Sequence, residues 1–127
     1  MPQTKWLAAA VLLAAVPARA GQPLVPADVA ALHRASDPRI SPDGERIVYV
    51  VSSPREGERP GADLWMVPAD GGPAQRFTTT REPDRYPRWS PDGHTLAFLS
   101  SRPDAEAKVQ VYLIPADGGE ARQLTRE

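Results

Sequence analysis

Two stretches of the chain are apolar on both faces of an extended strand. In Thr95-Leu96-Ala97-Phe98-Leu99-Ser100, alternate positions place Leu96, Phe98 and Ser100 on one side and Ala97 and Leu99 on the other. Arg46-Ile47-Val48-Tyr49-Val50-Val51 has the same character. A strand half-buried at a surface alternates apolar with polar, so a strand apolar on both sides is covered on both sides. Each run is preceded by the same tetrapeptide, Ser41-Pro42-Asp43-Gly44 and Ser90-Pro91-Asp92-Gly93. Proline presets φ for the second turn position, aspartate bonds its own backbone and glycine accepts a positive φ, so both tetrapeptides predict tight turns.

The tetrapeptides belong to a repeat. They recur at an offset of 49, whereas the Pro68-Ala69-Asp70-Gly71-Gly72 run recurs as Pro115-Ala116-Asp117-Gly118-Gly119 at an offset of 47. Arg76-Phe77-Thr78 recurs as Gln123-Leu124-Thr125, also at 47. Each copy reads as four short strands. In the first they fall at residues 39–41, 46–51, 63–67 and 75–78; in the second at 86–90, 95–100, 109–114 and 121–125. The connections at 52–62 and 101–108 are polar. A short helix is expected over residues 26–34, where Val29 and Leu32 share a side.

Four-stranded units repeating every 40–50 residues are the mark of propeller blades. One twisted sheet buries a single face, and radial stacking buries both. The expectation is therefore an all-β fold, a partial β-propeller of about two four-stranded blades, preceded by a signal peptide and one short helix. The domain boundaries expected are 1–20 for the signal, 21–36 for an N-terminal segment, 37–84 for the first blade and 85–127 for the second. Propellers close with four to eight blades. Two blades therefore read as a truncated piece, expected to aggregate or stay partly unfolded through open strand edges.

Composition supports this reading. Fifteen prolines and nine glycines among 127 residues suit short strands and many turns. Lys5, the apolar run at residues 6–16, Pro17 and Ala18-Arg19-Ala20 form the three parts of an export signal, with the mature chain expected from Gly21. Eleven apolar residues are too few to span a bilayer, which takes about 20. Beyond residue 20, 16 acidic side chains face 13 basic ones. That balance gives no basic stripe for nucleic acid. There is no cysteine, hence no disulfide framework or thiolate metal site.

The chemistry-bearing residues are few. Ser41 and Ser90 open turns, Ser53 precedes a proline, and none has the base and oxyanion donors a nucleophile needs. His33 and His94 are isolated from each other and from carboxylate clusters, so no metal site is expected. Asp43, Asp70, Asp92 and Asp117 precede glycines but lack the alternating acidic spacing of a calcium loop. Arg81-Glu82-Pro83-Asp84-Arg85 joins the blades and reads as a solvated connection or, less readily, a ligand-facing loop. Trp65 and Trp89 are expected in inter-blade core. No catalytic, cofactor-binding or metal residue is assigned, and no cofactor.

The Trp89-Ser90-Pro91-Asp92-Gly93 hairpin and the strand-plus-PADGG pattern resemble the PD40, or WD40-like, propeller repeat. The ordered string is Asp37-Pro38-Arg39-Ile40-Ser41-Pro42-Asp43-Gly44, Arg88-Trp89-Ser90-Pro91-Asp92-Gly93, Ala97-Phe98-Leu99-Ser100-Ser101-Arg102 and Gly118-Gly119-Glu120-Ala121-Arg122-Gln123-Leu124-Thr125. It resembles the start of S9 (prolyl oligopeptidase family) serine peptidases of the acylaminoacyl-peptidase and dipeptidyl-peptidase type. The resemblance implies a propeller gating peptide access to an α/β-hydrolase domain, in an exported, periplasmic or secreted protein. The chain has no G-x-S-x-G nucleophile elbow, so no triad residue carries over. The alternatives are a periplasmic TolB-like propeller that binds protein partners, and a propeller fused to a metal-dependent amidohydrolase. TolB-like proteins carry an α/β domain ahead of the propeller, where this sequence has about twenty residues.

Overall fold

The structure, a computed structural model, describes residues 27, 31–55, 60–102 and 108–126. The expected signal peptide and residues 26 and 28–30 of the expected helix lie outside them. The strands are β1 (Arg34–Ile40), β2 (Arg46–Ser53), β3 (Gly61–Pro68), β4 (Gln75–Arg76), β5 (Arg85–Trp89), β6 (Thr95–Ser100), β7 (Gln110–Pro115) and β8 (Arg122–Gln123). They form two four-stranded antiparallel meanders, β1-β2-β3-β4 and β5-β6-β7-β8, one per sequence repeat. No described helix is long and apolar enough to cross a membrane.

The N-terminal reading needs one correction. The helix expected to run to Arg34 gives way at its end to strand, because Arg34 pairs with Ser52 and Ala35 with Val51. One helical hydrogen bond, from Ala31 N–H to Ala27 O, precedes it. β1 is longer than expected because it continues through Asp37-Pro38. The ladder shifts register between Ser36 and Arg39, and Asp37 has φ +48°. The second blade repeats this bulge between Arg85 and Arg88, with Tyr86 at φ +57° before Pro87. A bulge leaves a residue out of the ladder, which is where a proline without an N–H can sit inside a strand. Its recurrence at the same repeat position marks these unusual backbone angles as part of blade architecture.

The two SPDG turns are also alike. Ser41 N–H donates to Arg46 O and Gly44 N–H to Ser41 O, both at 2.8 Å; Ser90 and Gly93 do the same at 2.8 and 2.9 Å. Gly44 and Gly93 take φ +77° and +73°, which glycine supplies without a Cβ clash. The serine hydroxyl donates to the aspartate (Ser41 to Asp43; Ser90 to Asp92 at 2.5 Å) and accepts from the strand that follows. The aspartate also accepts an N–H from Glu45 or His94, at 3.0 Å in each turn.

These bonds favour the ionised carboxylate. The serine hydroxyl first, then the backbone N–H, holds Asp43 and Asp92 below the ordinary value of 3.8. A group whose pKa is depressed by folding stabilises the fold above its unfolded value, and that contribution fades as pH falls through the folded one. In Asp43→Asn/Asp92→Asn, the wild type should therefore be the more stable protein at neutral pH. Its advantage should shrink below about pH 4, as read from urea midpoints taken along a pH series. A constant difference across that range would contradict the assignment.

The blades pack face to face around one core. Val48, Val50, Ala62 and Leu64 of the first meet Leu96, Phe98, Tyr112 and Ile114 of the second, and all are buried. Met66, Phe77, Trp89 and Ala121 close its margins. Side chains alternate faces along a strand, and the repeat aligns the two blades at offsets of 49 and 47. Val48, Val50 and Leu64 therefore correspond to Ala97, Leu99 and Val111, which lie on the far side of the second blade. The interface thus joins one face of the first blade to the opposite face of the second, as radial stacking demands.

Candidate functional site

Polar bonds tie the blades at two ends. At the SPDG end, Arg46 reaches Ala116 O at 3.0 Å and Asp117 at 3.1 Å, and lies 5.2 Å over the Trp89 ring. Trp89 Nε1–H donates to Arg39 O at 3.0 Å, and Arg88 pairs with Asp37 at 3.1 Å. Trp89 thus sits at the inter-blade contact. Trp65, expected there too, is half-buried on the outer face of the first blade, since it pairs with Tyr49 rather than with Val48 or Val50.

At the other end, where β2 and β6 finish, the connection at residues 77–84 crosses between blades. Thr78 Oγ1 accepts the Leu64 N–H at 3.0 Å, and Asp84 N–H donates to Ala62 O at 2.8 Å. Asp84 is fully buried and not a solvated linker residue. Its Oδ2 lies 2.7 Å from the Arg102 guanidinium and accepts from Thr80 at 3.3 Å. Oδ1 has no hydrogen-bond partner among the described residues. Arg102 stacks over Phe98 and Tyr112, at 4.9 and 5.4 Å, and the Tyr112 hydroxyl donates to Arg102 O. The pair is an internal clamp. Sequence reading passed over it; the available signal was an acid immediately before β5 and an arginine two residues after the apolar β6.

Beside this clamp opens a cleft of about 370 Å³, where the connection at residues 81–86 meets Arg55 and the outer-side residues Leu99 and Val109 of the second blade. Arg55, Arg81, Glu82, Pro83, Arg85, Tyr86 and Leu99 are among its lining residues. Arg55 donates to Arg81 O. Among the described residues, Arg55, Arg81 and Arg85 share the lining with Glu82, Pro83 and Leu99, a set whose guanidiniums suit a ligand carrying a carboxylate group.

The other sequence candidates fall elsewhere. Ser41 and Ser90 are occupied in their turns. Ser53 Oγ lies 3.0 Å from His33 Nδ1, both on the surface. His33 has no further partner among the described residues, so nothing orients it as a general base. His94 is exposed at the far end of the second blade's SPDG turn. No group of three or more His, Cys, Asp or Glu comes together among the described residues.

No protein-family model matches the chain. Among curated proteins, it is 38% identical over 99 residues to the uncharacterized peptidase YuxL of Bacillus subtilis, covering 77% of this chain and 15% of that protein. It is 34% identical over 82 residues to dipeptidyl-peptidase 5 of Porphyromonas gingivalis, covering 64% of the chain and 12% of the peptidase. TolB of Aromatoleum aromaticum matches at 44% over 55 residues, 43% of the chain and 12% of that protein. Among solved structures, a TolB of Agrobacterium tumefaciens matches with a TM-score of 0.55 and 32% identity, over 71% of this chain and 32% of that one. The β-propeller domain of the trilobed protease of Pyrococcus furiosus matches with the same TM-score, over 73% and 28%. At 17% identity, that likeness speaks for the fold alone. The chain spans about one-seventh of the first relative's length. Its two blades form a β-propeller segment similar to a short part of peptidases such as YuxL and dipeptidyl-peptidase 5.

Proposed function

We propose that the chain serves as propeller of an exported serine peptidase of the prolyl oligopeptidase type, standing between solvent and an α/β-hydrolase domain and selecting peptides that reach it. The carrying observation is the match to YuxL across 77% of the chain, wider than the 43% covered by the TolB of Aromatoleum aromaticum. The arginine-lined cleft agrees with this role, because a peptide's terminal carboxylate fits its chemistry. Export rests on the three-part segment at residues 1–20. The domain division at 1–20, 21–36, 37–84 and 85–127 belongs to the same proposal.

An antibody raised against this chain should capture, from extracts of cells that encode it, a polypeptide that reacts with a fluorophosphonate serine-hydrolase probe. The chain by itself should not cleave chromogenic peptides. The TolB-like reading, favoured by the 32% identity to the Agrobacterium structure, expects capture of a polypeptide that takes no label. That outcome would replace the peptidase assignment.

A further inference from the structure

The two bulges meet between the blades. β5 packs against β1, β2 and β3 of the first blade, whereas β4 and β8 stay apart. The blades therefore converge at their first strands, the side that a propeller turns towards its central channel. A bulge re-aims a side chain. Here the bulge residues of both blades, Asp37 and Tyr86, line one notch together with Ser36, Val50 and Arg85. Every one of these walls comes from the two blades themselves, so the notch does not depend on what covers either outer face. It holds about 100 Å³. A whole small-molecule site takes about 300 Å³ or more, so this notch takes the end group of a ligand.

The chemistry of the notch is one-sided. Asp37, its one acidic residue, is already paired with Arg39 at 2.7 Å and with Arg88 at 3.1 Å. The Ser36 hydroxyl, the Arg85 guanidinium and the Tyr86 hydroxyl are donors without a hydrogen-bond partner among the described residues. Ser36 lies opposite Val50, on the face turned to the second blade. An exposed arginine or tyrosine is ordinary by itself, since water satisfies it. Three donors from two blades around one small notch are not. Arg39, Arg85 and Arg88 outweigh the charge of Asp37, and a carboxylate accepts what such a set offers. The backbone adds to this. Tyr86 holds φ +57° directly before the fully buried Pro87, a strained conformation for a bulky residue. Strain of this kind persists at ligand clamps, where the surroundings impose it.

We propose that this notch binds a peptide carboxylate, with Arg85 pairing to it and the Ser36 and Tyr86 hydroxyls donating to it. The ligand's being a peptide rests on the proposed function; the carboxylate rests on the notch alone. Arg85 and Tyr86 stand on the border between the notch and the larger cleft, so the notch fixes where within that region the charged end of the ligand sits.

Isothermal titration of the whole chain with three small probes tests this. N-acetyl-alanyl-alanine carries a terminal carboxylate, N-acetyl-alanyl-glutamic acid amide a side-chain carboxylate, and N-acetyl-alanyl-glutamine amide neither. A carboxylate probe should bind about tenfold or more tightly than the last, the effect of a charged hydrogen-bonding group. Binding of either carboxylate probe supports the notch, and the tighter one identifies the source of the group. Arg85→Gln should weaken that binding by about tenfold or more, and Tyr86→Phe and Ser36→Ala by about threefold each. Arg122→Gln, an equal change of charge on β8, should stay within about twofold, the range of an ordinary surface substitution. If circular dichroism finds one notch variant unfolded, the other two carry the test. No binding of either carboxylate probe, equal binding of the probe that lacks one, or a loss no larger in Arg85→Gln than in Arg122→Gln would each overturn the proposal. Failure of the peptidase reading looks different: the captured polypeptide takes no fluorophosphonate label while carboxylate binding at the notch persists.

Discussion

Asp84→Ala should cost about 3–5 kcal/mol, the usual penalty for removing one partner of a buried ion pair. Asp84 is fully buried and Arg102 only 16% exposed, so the orphaned guanidinium would keep its charge with little water to replace the carboxylate. The loss falls where it matters for the whole molecule. Asp84 anchors the connection between blades to β3 through Ala62, and Arg102 covers the rings of Phe98 and Tyr112. Urea denaturation followed by tryptophan fluorescence reads the cost. Asp84→Ala/Arg102→Met should recover much of it, because replacing both members of a buried pair with apolar groups is often close to neutral. A single variant within about 0.5 kcal/mol of wild type, the range of ordinary surface substitutions, would reduce the clamp to a surface contact. A double variant no better than the single would place the cost in the Asp84 backbone contacts rather than in the charge.

Phe98→Ala should cost a similar amount, about 3–5 kcal/mol for a large buried aromatic. Its ring is 1% exposed, stacks against Tyr112 with centroids 6.0 Å apart, and carries Arg102 on its face. The informative control is Tyr49, at the same repeat position in the first blade. Tyr49 belongs to the outer face and is only half-buried. Tyr49→Ala should therefore cost less than half as much, although the two aromatics occupy equivalent places in equivalent strands. Equal costs in the same denaturation experiment would mean that the two faces are equally covered, contrary to the asymmetry described above. A small domain holds only about 5–15 kcal/mol in all, so Phe98→Ala tests whether the blades fold as one unit.

Much of the fold was legible because its signals are local. The turn chemistry of Ser-Pro-Asp-Gly and the apolar runs that follow placed β2 and β6 to within a few residues, and the β6 bounds, Thr95–Ser100, agree in full. The bulges were not legible. Asp37-Pro38 and Tyr86-Pro87 look like strand breakers, and only pairing with β2 and β6 carries the strand through them. The candidate site was half legible. The connection at residues 81–85 drew notice as a possible ligand loop. The division of labour within it, with Asp84 turned inward and Arg81 and Arg85 on the cleft, depends on Arg102, 18 residues away, which gives the carboxylate a partner.

The sequence by itself determined the repeat, the number of strands in each blade, the turns between them and the demand of β2 and β6 for cover on both faces. All of these follow from turn stereochemistry and from side chains alternating along a strand. Tertiary structure alone decided which face of each blade is satisfied within the chain. Equivalent residues carry the same local signals, so Phe98 and Tyr49, or Ala62 and Val109, cannot be ranked by pattern. Their burial differs because two blades share one interface, leaving each blade one face covered by its neighbour and one face turned outward.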